Sequence, residues 1–72
     1  MQTNYNAKVE YNATYEWYEV ELNNRIVYVR GDVDETDAFA FAAMYFSNFD
    51  LECVFDGEVN VDYVNNVITY IT

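Results

Sequence analysis

The stretch that decides the fold is YEWYEVELNNRIVYVRG, residues 15–31. Two runs rich in β-branched and aromatic residues flank Asn23-Asn24, and asparagine tolerates positive φ, so the pair predicts a two-residue hairpin turn. That turn sets the register. Val20 faces Val27 and Tyr18 faces Val29 on one side, while Trp17, Glu19 and Glu21 face Arg30, Tyr28 and Ile26 on the other. One side of the hairpin is apolar and belongs against a core. The other carries an indole, a phenol and two carboxylates.

Upstream, residues Tyr5 to Tyr11 alternate strictly: Tyr5, Ala7, Val9 and Tyr11 point one way, and Asn6, Lys8, Glu10 and Asn12 the other. This predicts a half-buried strand. Downstream, Gly31 is expected to break the third strand, and the acidic run Asp32 to Asp37 precedes an Ala- and Phe-rich segment. Asp34 is the expected N-cap, with Glu35 and Asp37 in the first turn against the helix dipole, and the helix is expected to run to about Asn48. A turn of 100° per residue places Phe39, Ala42, Ala43, Phe46 and Phe49 on the packed face, with Asp37, Phe41, Met44 and Asn48 opposite. Leu51 to Phe55 then meets Asp56-Gly57, a hairpin signal, followed by Glu58 to Val64, a second Asn-Asn pair at 65–66, and Val67 to Thr72. A two-residue turn there would set Tyr63 opposite Ile68 and Val61 opposite Tyr70. The expected fold is α+β: an antiparallel β-sheet of five to six short strands, in the order β-β-β-α-β-β-β, with one helix packed on one face.

The chain has 72 residues, with 13 Asp and Glu against 3 Lys and Arg and no His or Pro, a formal net charge of −10. This length fits a single domain, residues 1–72. Its 53% hydrophobic and 19% aromatic content separates it from a disordered acidic tail. Cys53 is the single cysteine, so no internal disulfide forms, and its place between Glu52 and Val54 fits a small core residue. The first residues lack a basic start followed by an apolar run, and no stretch reaches the length of a membrane span, so a cytoplasmic protein is expected. Asn12-Ala13-Thr14 matches a glycosylation sequon, which is read as chance.

Catalysis has little to work with. There is no histidine to activate Ser47, the single serine, or Cys53. No catalytic residue, metal ligand or cofactor is assigned, and the protein is expected not to be an enzyme. Asp32 to Asp37 falls short of a calcium loop, because the sixth position is Asp37 instead of glycine and the twelfth is Ala43 instead of glutamate.

The charge itself is informative. An acidic surface repels nucleic-acid phosphates and anionic lipid, so neither direct nucleic-acid nor membrane binding is expected, and a partner should be basic. Glu58, Asn60 and Asp62 share one strand face, as do Glu19 and Glu21. Residues two apart on a strand lie about 6.7 Å from each other, comparable to the spacing of successive phosphates along nucleic acid. Those rows therefore suit mimicry of DNA, although acids on exposed strands also give solubility and discourage edge pairing. Trp17, Ile26 and Tyr28 add an apolar patch on the sheet face turned away from Val20 and Val27, with the composition of an interface anchor. Alternatively, a terminal strand covers Trp17 and Tyr28, or the helix, with Phe41 and Met44 outward, is buried in a homodimer.

In size, charge and order of elements, with strands through Tyr18–Val29, a helix through Asp34–Asn48 and strands through Leu51–Thr72, the chain resembles the small acidic inhibitors that bacteriophages encode against host defence nucleases. Anti-CRISPR and anti-restriction proteins belong to that group. The resemblance implies a stoichiometric inhibitor in the bacterial cytoplasm, occupying the basic nucleic-acid groove of a host protein or nucleoprotein complex such as a CRISPR effector. The candidate contacts are Glu19, Glu21, Asp34, Glu35, Asp37, Glu58 and Asp62, with Trp17 and Tyr28 as anchors. An immunity protein or antitoxin that neutralises a basic toxin needs the same charge complementarity, and a self-associating structural protein is the third reading.

Overall fold

Asn23 and Asn24 both take positive φ, 52° and 67°, the conformation of a type I′ turn whose twist matches the strands it joins. The hairpin forms in the expected register. In the computed structural model, which describes residues 7–48, 51 and 56–72, Val20 pairs with Val27, Tyr18 with Val29, Trp17 with Arg30, Glu19 with Tyr28 and Glu21 with Ile26. The elements are β1 (Ala7–Asn12), β2 (Trp17–Leu22), β3 (Arg25–Gly31), α1 (Glu35–Phe46), β4 (Glu58–Asp62) and β5 (Val67–Ile71). The class is α+β, with one helix and a five-stranded sheet among the described residues, in the spatial order β1-β2-β3-β5-β4.

Three sequence expectations need correction. The sheet is not wholly antiparallel, since β5 lies parallel to β3, pairing Tyr28 with Val67 and Gly31 with Tyr70. The chain leaves the helix, reaches the edge as β4 and turns inward as β5. Composition explains that order: β5, VITYI, carries large apolar groups on both faces and suits an interior strand, whereas β4, EVNVD, alternates and suits an edge. Gly31 ends β3 as a paired residue. Its φ is +108°, and a Cβ there would sit 1.9 Å from the Tyr70 carbonyl oxygen, so the close approach of β5 requires glycine.

The second correction is the β4–β5 turn. Asp62 pairs with Val67, Val61 with Ile68 and Val59 with Tyr70, so the loop spans four residues, 63–66, and the register differs by two from a two-residue turn. Only Asn66 of the pair has positive φ, 57°. The Asp62 carboxylate accepts from the Val64 and Asn65 backbone N–H groups, which fixes an Asx turn that an Asn-Asn hairpin would not use. The β1–β2 loop is built the same way: Asn12 Oδ1 accepts from the Thr14 and Tyr15 N–H groups, Glu16 closes the loop at φ 56°, and Asn12 pairs with Trp17. The sequon residues are this turn.

The third concerns the helix face. Asp34 is the N-cap, accepting from the Asp37 N–H at 2.8 Å. The helix ends at Phe46 with Ser47 as C-cap. Its packed face is centred on Ala38, Phe41 and Ala42, all fully buried, while Phe39 is 39% exposed. Met44 is half-buried and packs against the core rather than lying outward. Residues 38–46 are apolar at every position, so the pattern has no polar phase marker, and the side facing the sheet is set by fit. Small Ala38 and Ala42 flank one large ring, Phe41, which meets Tyr70 at a centroid distance of 5.1 Å. Val20, Val27, Val29, Ile68 and Val59 complete this layer, with Leu51. The positions assigned above to Tyr5, Phe49 and Cys53, and to the strand at 51–55 apart from Leu51, lie outside the described residues. Among the described residues no helix is long and apolar enough to cross a membrane.

Candidate protein-binding face

Strand alternation and a single helix leave one sheet face uncovered by the helix. The β2–β3 hairpin gives that face Trp17, Glu19 and Glu21 beside Ile26, Tyr28 and Arg30. The parallel pairing adds Val67, Thr69 and Ile71 from β5, and β4 contributes Glu58, Asn60 and Asp62 at the edge. From β1 come Lys8, Glu10 and Asn12.

Its centre is aromatic and aliphatic. Tyr15, in the β1–β2 loop, stacks on Trp17 with ring centroids 4.8 Å apart and planes at 22°, and Trp17 stacks on Tyr28 at 4.6 Å and 25°. The three rings form one column. Ile26 and Ile71 remain 39% and 49% exposed, at opposite ends of the face. Between the rings and the start of β5 runs an open groove of about 740 Å³, lined by Tyr15, Trp17, Glu19, Ile26, Tyr28 and Val67 with the β4–β5 loop.

Carboxylates stand on either side of that centre. Glu10 and Glu19 sit directly opposite each other on β1 and β2. Facing like charges destabilise a strand pair, and the Lys8 ammonium, 3.1 Å from Glu10, is the one ion pair among the described residues. Glu19 is held in place: the Asn12 side-chain amide donates to its Oε2 at 3.0 Å and the Trp17 indole N–H at 3.3 Å. Glu58 lies on the far edge, three strand spacings from β2, or roughly 14 Å at ~4.8 Å per strand.

The nine residues singled out from sequence divide accordingly. Trp17, Glu19, Glu21, Tyr28, Glu58 and Asp62 share the open face, whereas Asp34, Glu35 and Asp37 belong to the helix start, in the layer behind the sheet. Asp34 is engaged as a cap and Asp62 as a turn acceptor. Hydrogen bonds from the Asn65 side chain, then from the Asn65 and Val64 N–H groups, hold the Asp62 carboxyl below its ordinary value. Sequence reasoning missed Tyr15, Asn12 and Glu10 as members of the face. The signal for the first two is the spacing Asn12 to Trp17, an Asx residue followed by a four-residue loop, repeated as Asp62 to Val67. Among the described residues, no group of three His, Cys, Asp or Glu is placed to hold a metal ion. No protein-family model, curated protein or solved structure matches this chain.

Proposed function

We propose that this domain is a non-enzymatic binding protein that docks its open sheet face onto a basic protein surface, and that it acts as a stoichiometric inhibitor of a nucleic-acid-binding complex. A host defence nuclease such as a CRISPR effector is the target class this reading favours. The observation that carries it is the arrangement of one face: a stacked Tyr15–Trp17–Tyr28 column with carboxylates at both margins. A buried aromatic centre inside a polar rim is how protein interfaces concentrate affinity. Rows of acids separated by roughly the width of a DNA groove, ~12 Å, suit a surface that otherwise takes phosphates. The helix-start acids Asp34, Glu35 and Asp37 are left to dipole and cap roles in this reading.

The test is capture of partners from a bacterial lysate by the tagged domain, at low and high salt, with DNA or RNA then added as competitor. Displacement of a basic nuclease complex by nucleic acid supports the proposal. Retention of a small basic toxin regardless of nucleic acid replaces it with an immunity function, and recovery of the bait alone replaces it with self-association.

A further inference from the structure

The groove beside the aromatic column has a chemistry narrower than general attraction to cations. One wall is the indole of Trp17 and the phenol of Tyr28. Beside them stands the Glu19 carboxylate, directly across the ladder from Tyr28. Both hydrogen bonds that Glu19 receives end on Oε2, so among the described residues its Oε1 takes no donor and remains available to a ligand. Ile26 and Val67 close the groove with aliphatic surface. Trp17 carries a ring on each face, Tyr15 and Tyr28, so the face the column offers here is that of Tyr28, and an acid fixed beside it matches a planar cation, which stacks through its face and donates through its edge.

None of the chain's own cations fills this place. Lys8 is paired with Glu10. The Arg30 Nε–H donates to Thr69 Oγ1 at 3.1 Å, and Arg30 does not line the groove. Arg25 lies over the Phe46 ring, 4.4 Å from its centroid, on the helix side. That contact shows within the same molecule the geometry an incoming guanidinium would adopt.

We propose that the groove takes an arginine side chain of the partner, with the guanidinium stacked on the outer face of Tyr28, the end of the ring column, and its N–H edge on Glu19 Oε1. This rests on the reading of the open face as the binding surface and specifies what that surface recognises. Arginine is selected over lysine because its planar, weakly hydrated head stacks on rings and presents a fork of donors, whereas an ammonium is a compact, strongly hydrated point charge. Phosphate is repelled by Glu19 and by the net charge.

Trp17 is the single tryptophan and stacks on Tyr28, so indole emission reports on this part of the open face. The experiment titrates the domain with acetylated, amidated tetra-arginine and with tetra-lysine of equal charge, at physiological ionic strength. The expected result is a saturable change in Trp17 emission with tetra-arginine, at a Kd about tenfold below that of tetra-lysine. Glu19→Gln removes most of that preference while the circular dichroism spectrum and melting temperature stay near wild type, and Glu35→Gln, on the helix, leaves it intact. Equal binding of the two peptides, no saturable change, or an unaltered preference in Glu19→Gln overturns the inference. The two readings fail separately. Partner capture that depends on Glu19 and Glu21 without any arginine preference removes only the guanidinium site, whereas capture indifferent to every open-face variant removes the binding face itself.

Discussion

Trp17 stacks on Tyr28 although the two are not paired across the ladder: Trp17 stands opposite Arg30, and Tyr28 opposite Glu19. The diagonal contact follows from strand twist, which brings long side chains at i and j±2 within reach. The Trp17 indole N–H also anchors the Glu19 carboxylate, at 3.3 Å. Anchor and charge are therefore one unit. Truncating either side chain disturbs both, whereas Gln at residue 19 keeps an acceptor for the indole N–H.

The charge half of that unit is separable from stability. Replacing Glu19 and Glu21 by Gln keeps the shape of β2, relieves the Glu10–Glu19 opposition and should leave the melting temperature unchanged or slightly raised. Capture of a basic partner should weaken and its salt dependence should become shallower. Thermal melts and binding at two ionic strengths check this; unchanged binding takes β2 out of the interface.

The helix face makes a sharp prediction about stability. Phe41 is fully buried against Tyr70, while Phe39 is 39% exposed. Phe41→Ala should cost about 3–5 kcal/mol, a large share of the ~5–15 kcal/mol that holds a domain together. Phe39→Ala should cost well under half as much. Urea denaturation of both variants reads the difference, and equal losses would contradict the orientation of α1.

Gly31 tests the parallel pair. A methyl group at this residue meets the Tyr70 carbonyl oxygen at 1.9 Å with φ at +108°. Gly31→Ala must therefore part β3 from β5 or strain the backbone, at a cost of about 2–3 kcal/mol or more. The melting temperature should fall, and amide exchange should quicken at Asp32, whose N–H donates to Tyr70. A wild-type melt with unaltered exchange would argue against the β3–β5 contact.

Asp62 carries a pH signature. Its carboxyl is held below the ordinary value by the Asn65 side chain and by the Asn65 and Val64 N–H groups. A lowered folded-state pKa stabilises fully above the unfolded value, about 3.9 for aspartate, and the contribution disappears as pH falls through the folded value. The stability advantage of wild type over Asp62→Asn should thus be constant near neutrality and vanish in acid. Paired thermal melts across the acidic range measure it; a gap that widens on acidification reverses the sign.

Local chemistry made much of this fold legible. Asn23-Asn24 specified the turn, and with it every pairing of β2 and β3. Asp34 announced the helix start because a carboxylate before an apolar run has a defined use there. The helix phase was not legible, since nine successive apolar residues give no direction. Nor was the β4–β5 register: Asn65-Asn66 carried the same dipeptide signal as Asn23-Asn24, but Asp62 captured the loop N–H groups first. Strand order was written only in composition, β5 being apolar on both faces and β4 alternating, while the parallel pairing that sets Gly31 against Tyr70 joins distant segments that no turn signal connects. In the candidate face, alternation alone grouped Trp17, Glu19, Glu21 and Tyr28, and separately Glu58 and Asp62. That both groups share one surface follows only from β5 lying between them.

In the proposed function the open sheet face, and not the helix face, meets the partner. The most direct measurement is a backbone and indole NMR comparison of the free domain with its captured partner complex. Perturbations should concentrate on Trp17, Glu19, Glu21, Ile26 and Tyr28, including the Trp17 indole N–H, and spare Glu35 and Phe39. Perturbations confined to Glu35, Phe39 and their neighbours on α1, with the Trp17 indole unmoved, would contradict it.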